Sequence, residues 1–228
     1  MDLHALQEVL EHVRPSVMFY LGPIPVTSTV VNTWIIMAII LPLVYVFTRN
    51  LSTVPRGIGQ HLMEMVAEFF NNLLEENMGK EGRKYLPLVG TLFIFILFLN
   101  LSWFIPGMKP PTTDLSTTLG FAVVTIIMVQ FIGIKKQGLA GYIRHFFQPN
   151  PFMFPLNLLE ELVKPVSLSL RLFANIFGEK TVVTVLFLMV PFFCPVPVML
   201  LGVIMGLIQA LVFSLLTVVY IANFVNGH

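Results

Sequence analysis

Apolar residues occur along this chain in blocks far longer than the alternation of a soluble fold requires, with short polar stretches between them. Five blocks stand out, at about residues 26–48, 85–105, 116–134, 155–190 and 196–224. A helix needs about 20 apolar residues to cross a bilayer, and each block is long enough. Residues 58–78 follow a different rule. Leu62, Met65, Val66, Phe69, Phe70, Leu73 and Leu74 recur at helical spacing, while Glu64, Glu68, Asn71, Asn72 and Glu75 fill the other face. That pattern predicts an amphipathic helix lying in the membrane interface, or one docked on another subunit. The whole reads as an all-α polytopic membrane protein with about five membrane-embedded helices plus this interfacial one.

The last two blocks are unusual. Pro155 to Val190 reads as one helical stretch of roughly 54 Å at 1.5 Å per residue, whereas the hydrocarbon core is only about 30 Å thick. Such a helix must tilt strongly, kink at Pro165, or extend well outside the membrane. A turn rich in proline (Pro191, Pro195, Pro197) leads into the final block, Val196 to about Phe224. Together they predict a hairpin of two long, strongly tilted helices.

Composition agrees with lipid as the solvent. Hydrophobic residues make up 56% of the 228 positions and charged residues 11%, with mean hydropathy +0.85. A soluble domain carries about 25% charged residues. The net charge of +1 offers no basic face for nucleic acid. Cys194 is the single cysteine, so no intrachain disulfide is available. Residues 1–25 hold Asp2, Glu8, Glu11, Arg14 and three prolines, which is not a secretory signal. They form an N-terminal segment ahead of one integral membrane domain, 26–228.

Lysine and arginine set the orientation. The 49–84 loop carries five and the 135–150 loop three, against one each before residue 26 and in 106–115 and none in 191–195. The positive-inside rule then puts the N-terminus outside, both basic loops inside, and the C-terminus in the cytoplasm. No internal repeat is visible, unlike the repeat-built transporters.

Arg171 is the residue that carries most chemistry. It sits in the middle of the long 155–190 helix, where an arginine costs at least about 2.5–3.5 kcal/mol on insertion scales. Snorkelling is blocked by ten or more mostly apolar residues on each side, and a voltage sensor would need several arginines. A structural pairing with Glu179 or Glu161 is the competing reading. At 100° per residue, Asn175 and Ser167 each lie about 40° from Arg171, Glu160 and Lys164 about 20°, and Glu179 about 80°. Glu160, Glu161 and Lys164 also fit a plain solvated face. The last helix contributes Gln209, with Gly202, Gly206, Phe213 and Tyr220 on its side. It is either part of a polar path or ordinary interhelical glue.

Polar groups on both sides of a fixed positive charge suggest two offset half-paths for an ion, not one leaking pore. An arginine stays protonated, yet it can draw a proton off an opposing carboxylic acid. That acid is missing from the middle of this chain, so a partner must supply it. No phosphate loop, metal cluster or nucleophile–base pair is present, and no cofactor is implied. The chain is not an enzyme by itself. Two other readings stay open. One is a stand-alone ion channel or secondary transporter; the other is a scaffold that conducts nothing.

Pro165-Val-Ser-Leu-Ser-Leu-Arg-Leu-Phe-Ala-Asn175, Gly206-Leu-Ile-Gln-Ala-Leu-Val-Phe213, Thr217-Val-Val-Tyr220 and Pro111-Thr-Thr-Asp-Leu-Ser-Thr-Thr-Leu119 together resemble subunit a of bacterial and chloroplast F-type ATP synthases. The likeness covers most of residues 85–228. It implies a stator packed beside a ring of c subunits, with peripheral-stalk b subunits and the rest of the synthase as partners. The family's essential arginine falls on Arg171 and its glutamine on Gln209. Asn175 and Ser167 match positions of the cytoplasmic half-channel, and protons would enter from outside near Glu179. The resemblance implies a bacterial inner membrane, with the thylakoid as alternative, and protons or sodium according to the ring. Two positions depart from the family pattern. Nine residues after the arginine, where an acid or histidine is usual, stands Lys180, with Glu179 one earlier. Seven before the glutamine, where His or Glu is frequent, stands Gly202.

Overall fold

The structure, a computed structural model, describes residues 17–21, 24–49, 57–102, 108, 110–147, 152, 154–189 and 195–225. Residues 1–16 of the N-terminal segment, and Cys194 with the rest of 190–194, lie outside the described residues. Among the described residues, six α-helices follow a small antiparallel hairpin of β1 (Val17–Leu21) and β2 (Ile24–Thr27). They are α1 (Ser28–Arg49), α2 (Ile58–Met78), α3 (Leu86–Leu101), α4 (Leu115–Phe146), α5 (Phe154–Met189) and α6 (Pro195–Val225). The fold is all-α and polytopic. The β-hairpin was not foreseen from hydrophobic spacing, because its strands are only five and four residues long.

Four segments among the described residues are long and apolar enough to cross a membrane: Ser28–Val46, Gly59–Leu101, Leu115–Leu139 and Val196–Val225. The long helix α5 is not among them. It carries Glu160, Glu161, Lys164, Arg171, Glu179 and Lys180. It nonetheless runs unbroken through Pro165 for 36 residues, about 54 Å.

One core joins α2 to α6. Phe70 and Leu74 of α2, Val89 and Ile96 of α3, Val129 of α4, Leu168 and Leu172 of α5, and Phe213 and Ile221 of α6 are all buried in it. Helix α1 sits at the edge, packing Ile36 and Ile40 on Leu99. Its outward residues Trp34, Met37, Leu41 and Tyr45 stay exposed, as do Ile127 and Phe131 of α4. Apolar area of this extent calls for lipid or partner subunits.

Two elements depart from the sequence pattern. The apolar face of α2 is split: Phe70 and Leu74 enter the core, while Leu62, Met65 and Phe69 remain exposed. Helix α4 does not stop near 134. It continues through Lys135 and Lys136 to Phe146, turning at Gly138 with φ 74° and ψ 162°. That backbone region is open almost only to glycine. The turn folds the last residues of α4 back on its own body, so that the Tyr142 hydroxyl donates to the Gln130 side-chain oxygen at 2.7 Å. On a straight helix, twelve residues would separate the two by about 18 Å.

Candidate functional site

Helices α5 and α6 pair in one antiparallel register that two polar contacts define. Asn175 Nδ2 of α5 donates to Gln209 Oε1 of α6 at 2.8 Å. Toward the start of α5, the Lys164 ammonium lies over the Tyr220 ring, 5.3 Å from its centroid. Eleven residues separate the two contacts on each helix, about 16 Å of axial rise, so neither helix slips against the other. Arg171 falls between them. It is exposed, and its guanidinium makes no hydrogen bond or ion pair among the described residues. The two pairings that would have made it structural are taken up elsewhere: Glu161 binds Lys164, and Glu179 lies against α6.

Gln209 is nearly enclosed at 2% exposure, and its Nε2 has no partner among the described residues. One turn away, Asn100 at the end of α3 donates its Nδ2 to the Gly206 carbonyl at 3.0 Å, and its Oδ1 is likewise buried and unpaired. A free donor and a free acceptor inside an apolar core cost energy unless water or a partner meets them. The structure thus builds a polar centre from α3, α5 and α6 beside Arg171. Asn100 was not singled out in the sequence, although it is the only side-chain amide in the apolar run of α3 and could have been.

The half-buried Glu179 carboxyl rests on the backbone of Gly202, so that a Cβ built at that glycine would fall within the carboxyl group. The glycine that departs from the family pattern and the shifted acid are therefore one feature. Side-chain volume absent from α6 is occupied by an acid from α5. Sequence alone gave Gly202 no such meaning, because the link needs the α5–α6 register.

The remaining candidates divide. Ser167 is exposed on the Arg171 flank of α5 and has no contact that joins it to the polar centre. Glu160 is exposed and pairs with Lys164 at 3.3 Å. Lys164 also pairs with Glu161, which in turn accepts a hydrogen bond from Gln130 of α4. A second group of buried polar residues lies between α1 and the start of α4. There Asp114 is buried, accepts from the Thr29 hydroxyl at 2.9 Å, and caps Ser116 N at 3.1 Å. Ser28 and Thr112 beside these residues in the chain carry buried, unpaired hydroxyls. Sequence reading used the 111–119 stretch as a likeness and missed that its aspartate is an internal acid.

The comparisons bear on the whole of this arrangement. The family described as ATP synthase A chain matches residues 30–222, from α1 to near the end of α6. This chain belongs to that family. It is 71% identical to ATP synthase subunit a of Moorella thermoacetica over 219 residues, covering 96% of this chain and 100% of that protein. ATP synthase subunit a 3 of Pelobacter propionicus is 45% identical over 193 residues, 83% of each chain. ATP synthase subunit a of Geobacter sulfurreducens is 41% identical over 198 residues, 85% and 86%. As an ATP synthase A chain, this protein has all of α5 and all but the last three residues of α6 within the matched span, with Arg171, Asn175, Glu179, Gly202 and Gln209 inside it.

Proposed function

We propose that this chain is the stator of a rotary ATP synthase that offers two offset proton half-paths to a c-subunit ring, with Arg171 facing the ring carboxylate. Family membership supplies the coarser part. The chain is a proton-translocating membrane subunit of the ATP synthase, and it carries no catalytic site of its own. The observation that carries the finer part is Arg171, exposed and unpaired between two polar contacts that fix α5 against α6.

A guanidinium is charged at every relevant pH. With no carboxylate paired to it among the described residues, it favours the ionised form of an acid brought before it by a partner. One half-path runs from the outside past Glu179 to that acid. Asn175 and Gln209 border the Arg171 region, and Ser167 and Glu160 line the half-path to the inner side. Each charge crossing 100 mV releases about 2.3 kcal/mol, so several must pass for each ATP. The ring supplies the ion site, and with it the choice between protons and sodium. Peripheral-stalk b subunits and lipid cover the exposed apolar faces. The chain sits in a bacterial inner membrane with its N-terminus outside.

ATP-driven proton pumping in vesicles carrying the complete complex tests this reading. Arg171→Ala is expected to abolish pumping, by at least a hundredfold, with the complex still assembled. Normal pumping by an assembled Arg171→Ala complex would sink the mechanism and favour a subunit that only anchors.

A further inference from the structure

At the start of α5 two adjacent carboxylates have different surroundings. Glu161 has both oxygens engaged, one by Lys164 and one by Gln130 of α4. Gln130 in turn accepts from the Tyr142 hydroxyl, which reaches it only because α4 folds back at Gly138. The side chains of Glu161 and Lys164 are each 14% exposed. Glu160 is 66% exposed, and among the described residues it pairs with Lys164 at 3.3 Å. Lys164 lies within about 20° of the Arg171 line on α5 and is held over the Tyr220 ring of α6. A single chain of contacts thus runs from Tyr142 through Gln130, Glu161 and Lys164 to Tyr220, crossing three helices.

An acid whose two oxygens both accept charge-assisted or amide hydrogen bonds is fixed in place and leaves no oxygen open to a moving proton. Its neighbour is open to water. We infer that Glu161 is a positioning residue of the inner half-path: it holds Lys164 along the Arg171 line and leaves Glu160 as the carboxyl that exchanges protons with water. This rests on the two-half-path reading above. In the step itself, an O–H bond breaks at the proton donor in the path and forms at a Glu160 oxygen. That bond then breaks to bulk water, the carboxylate is restored, and no electrons change hands. The charged and titratable groups facing Glu161 are Glu160 and Lys164 on α5, Tyr142 on α4 and Tyr220 on α6.

The test uses the complete complex in inverted vesicles, where the inner face is accessible, and measures ATP-driven pumping per assembled complex across a range of inner-side pH. Glu160→Gln is expected to lower pumping several-fold and flatten its dependence on inner-side pH. Glu161→Gln should lower pumping to a similar degree, because the new amide meets the donating amide of Gln130 and can no longer hold Lys164 in place, leaving it to Glu160. Combining Glu161→Gln with Gln130→Glu should restore at least half of it. The new carboxylate at 130 can accept from Tyr142 and from the new amide at 161, whose oxygen still receives Lys164. Wild-type pumping with an unchanged pH profile in Glu161→Gln overturns the inference, as does a double variant no better than the single one. Arg171→Ala is run alongside. If it abolishes pumping while Glu161→Gln is normal, only the positioning role falls; if it pumps normally, the half-path reading falls with it.

Discussion

Gly202 and Glu179 show how one missing side chain assigns a role to another. The carboxyl that rests on the glycine backbone is the far end of a flexible chain, so it can move aside at little cost in stability. Gly202→Ala is therefore expected to leave the amount of assembled complex near wild type and to reduce proton pumping several-fold by displacing Glu179. Unchanged pumping in that variant would separate the two residues. The Asn175–Gln209 contact makes a different prediction. Hydrogen bonds between membrane helices are worth about 0.6 kcal/mol on average and up to roughly 1.7. A double-mutant cycle of Asn175→Leu and Gln209→Leu, read as denaturant stability of the purified complex, should return a coupling in that range. Additivity would reduce the contact to coincidence.

Among the elements, α4 is decided by one residue. Its first two-thirds read as an ordinary membrane span, and its last third reverses at Gly138, in a backbone region costing other residues about 1–3 kcal/mol. Gly138→Ala is expected to lose that energy, or to straighten α4 and separate Tyr142 from Gln130 and Gln137 from the Phe224 carbonyl it binds at 2.7 Å. Limited proteolysis of the assembled complex should then cut near 138–146 faster than in the wild type. Helix α2 divides in another way. Its exposed Leu62, Met65 and Phe69 flank the buried Phe70 and Leu74, so one amphipathic helix faces both the core and its surroundings.

At the scale of the molecule, the polar centre is incomplete without a partner. Among the described residues Arg171 has no carboxylate partner, and the apolar faces of α1 and α4 are exposed. The purified chain reconstituted alone is expected to conduct protons no faster than protein-free vesicles, and conduction should appear on adding the ring. Conduction by the chain alone would point to a self-sufficient channel.

Hydrophobic spacing determined the helices and the class of the protein. An apolar run of twenty residues has few stable solutions in lipid other than a helix. It also marked Arg171, Asn175 and Gln209, because polar groups stand out when most neighbours are apolar. Charge bias spread over short loops gave a proposed orientation for the same reason: it depends on counts alone. Tertiary structure decided what those residues touch. The register of α5 on α6 joined Asn175 to Gln209 and laid Glu179 over Gly202, and no periodicity within one helix contains that register. The reversal at Gly138 brought Tyr142 to Gln130 and so gave different surroundings to Glu160 and Glu161, which are adjacent and chemically identical in the sequence. A helix fixes which residues share a face, but only packing fixes what that face meets.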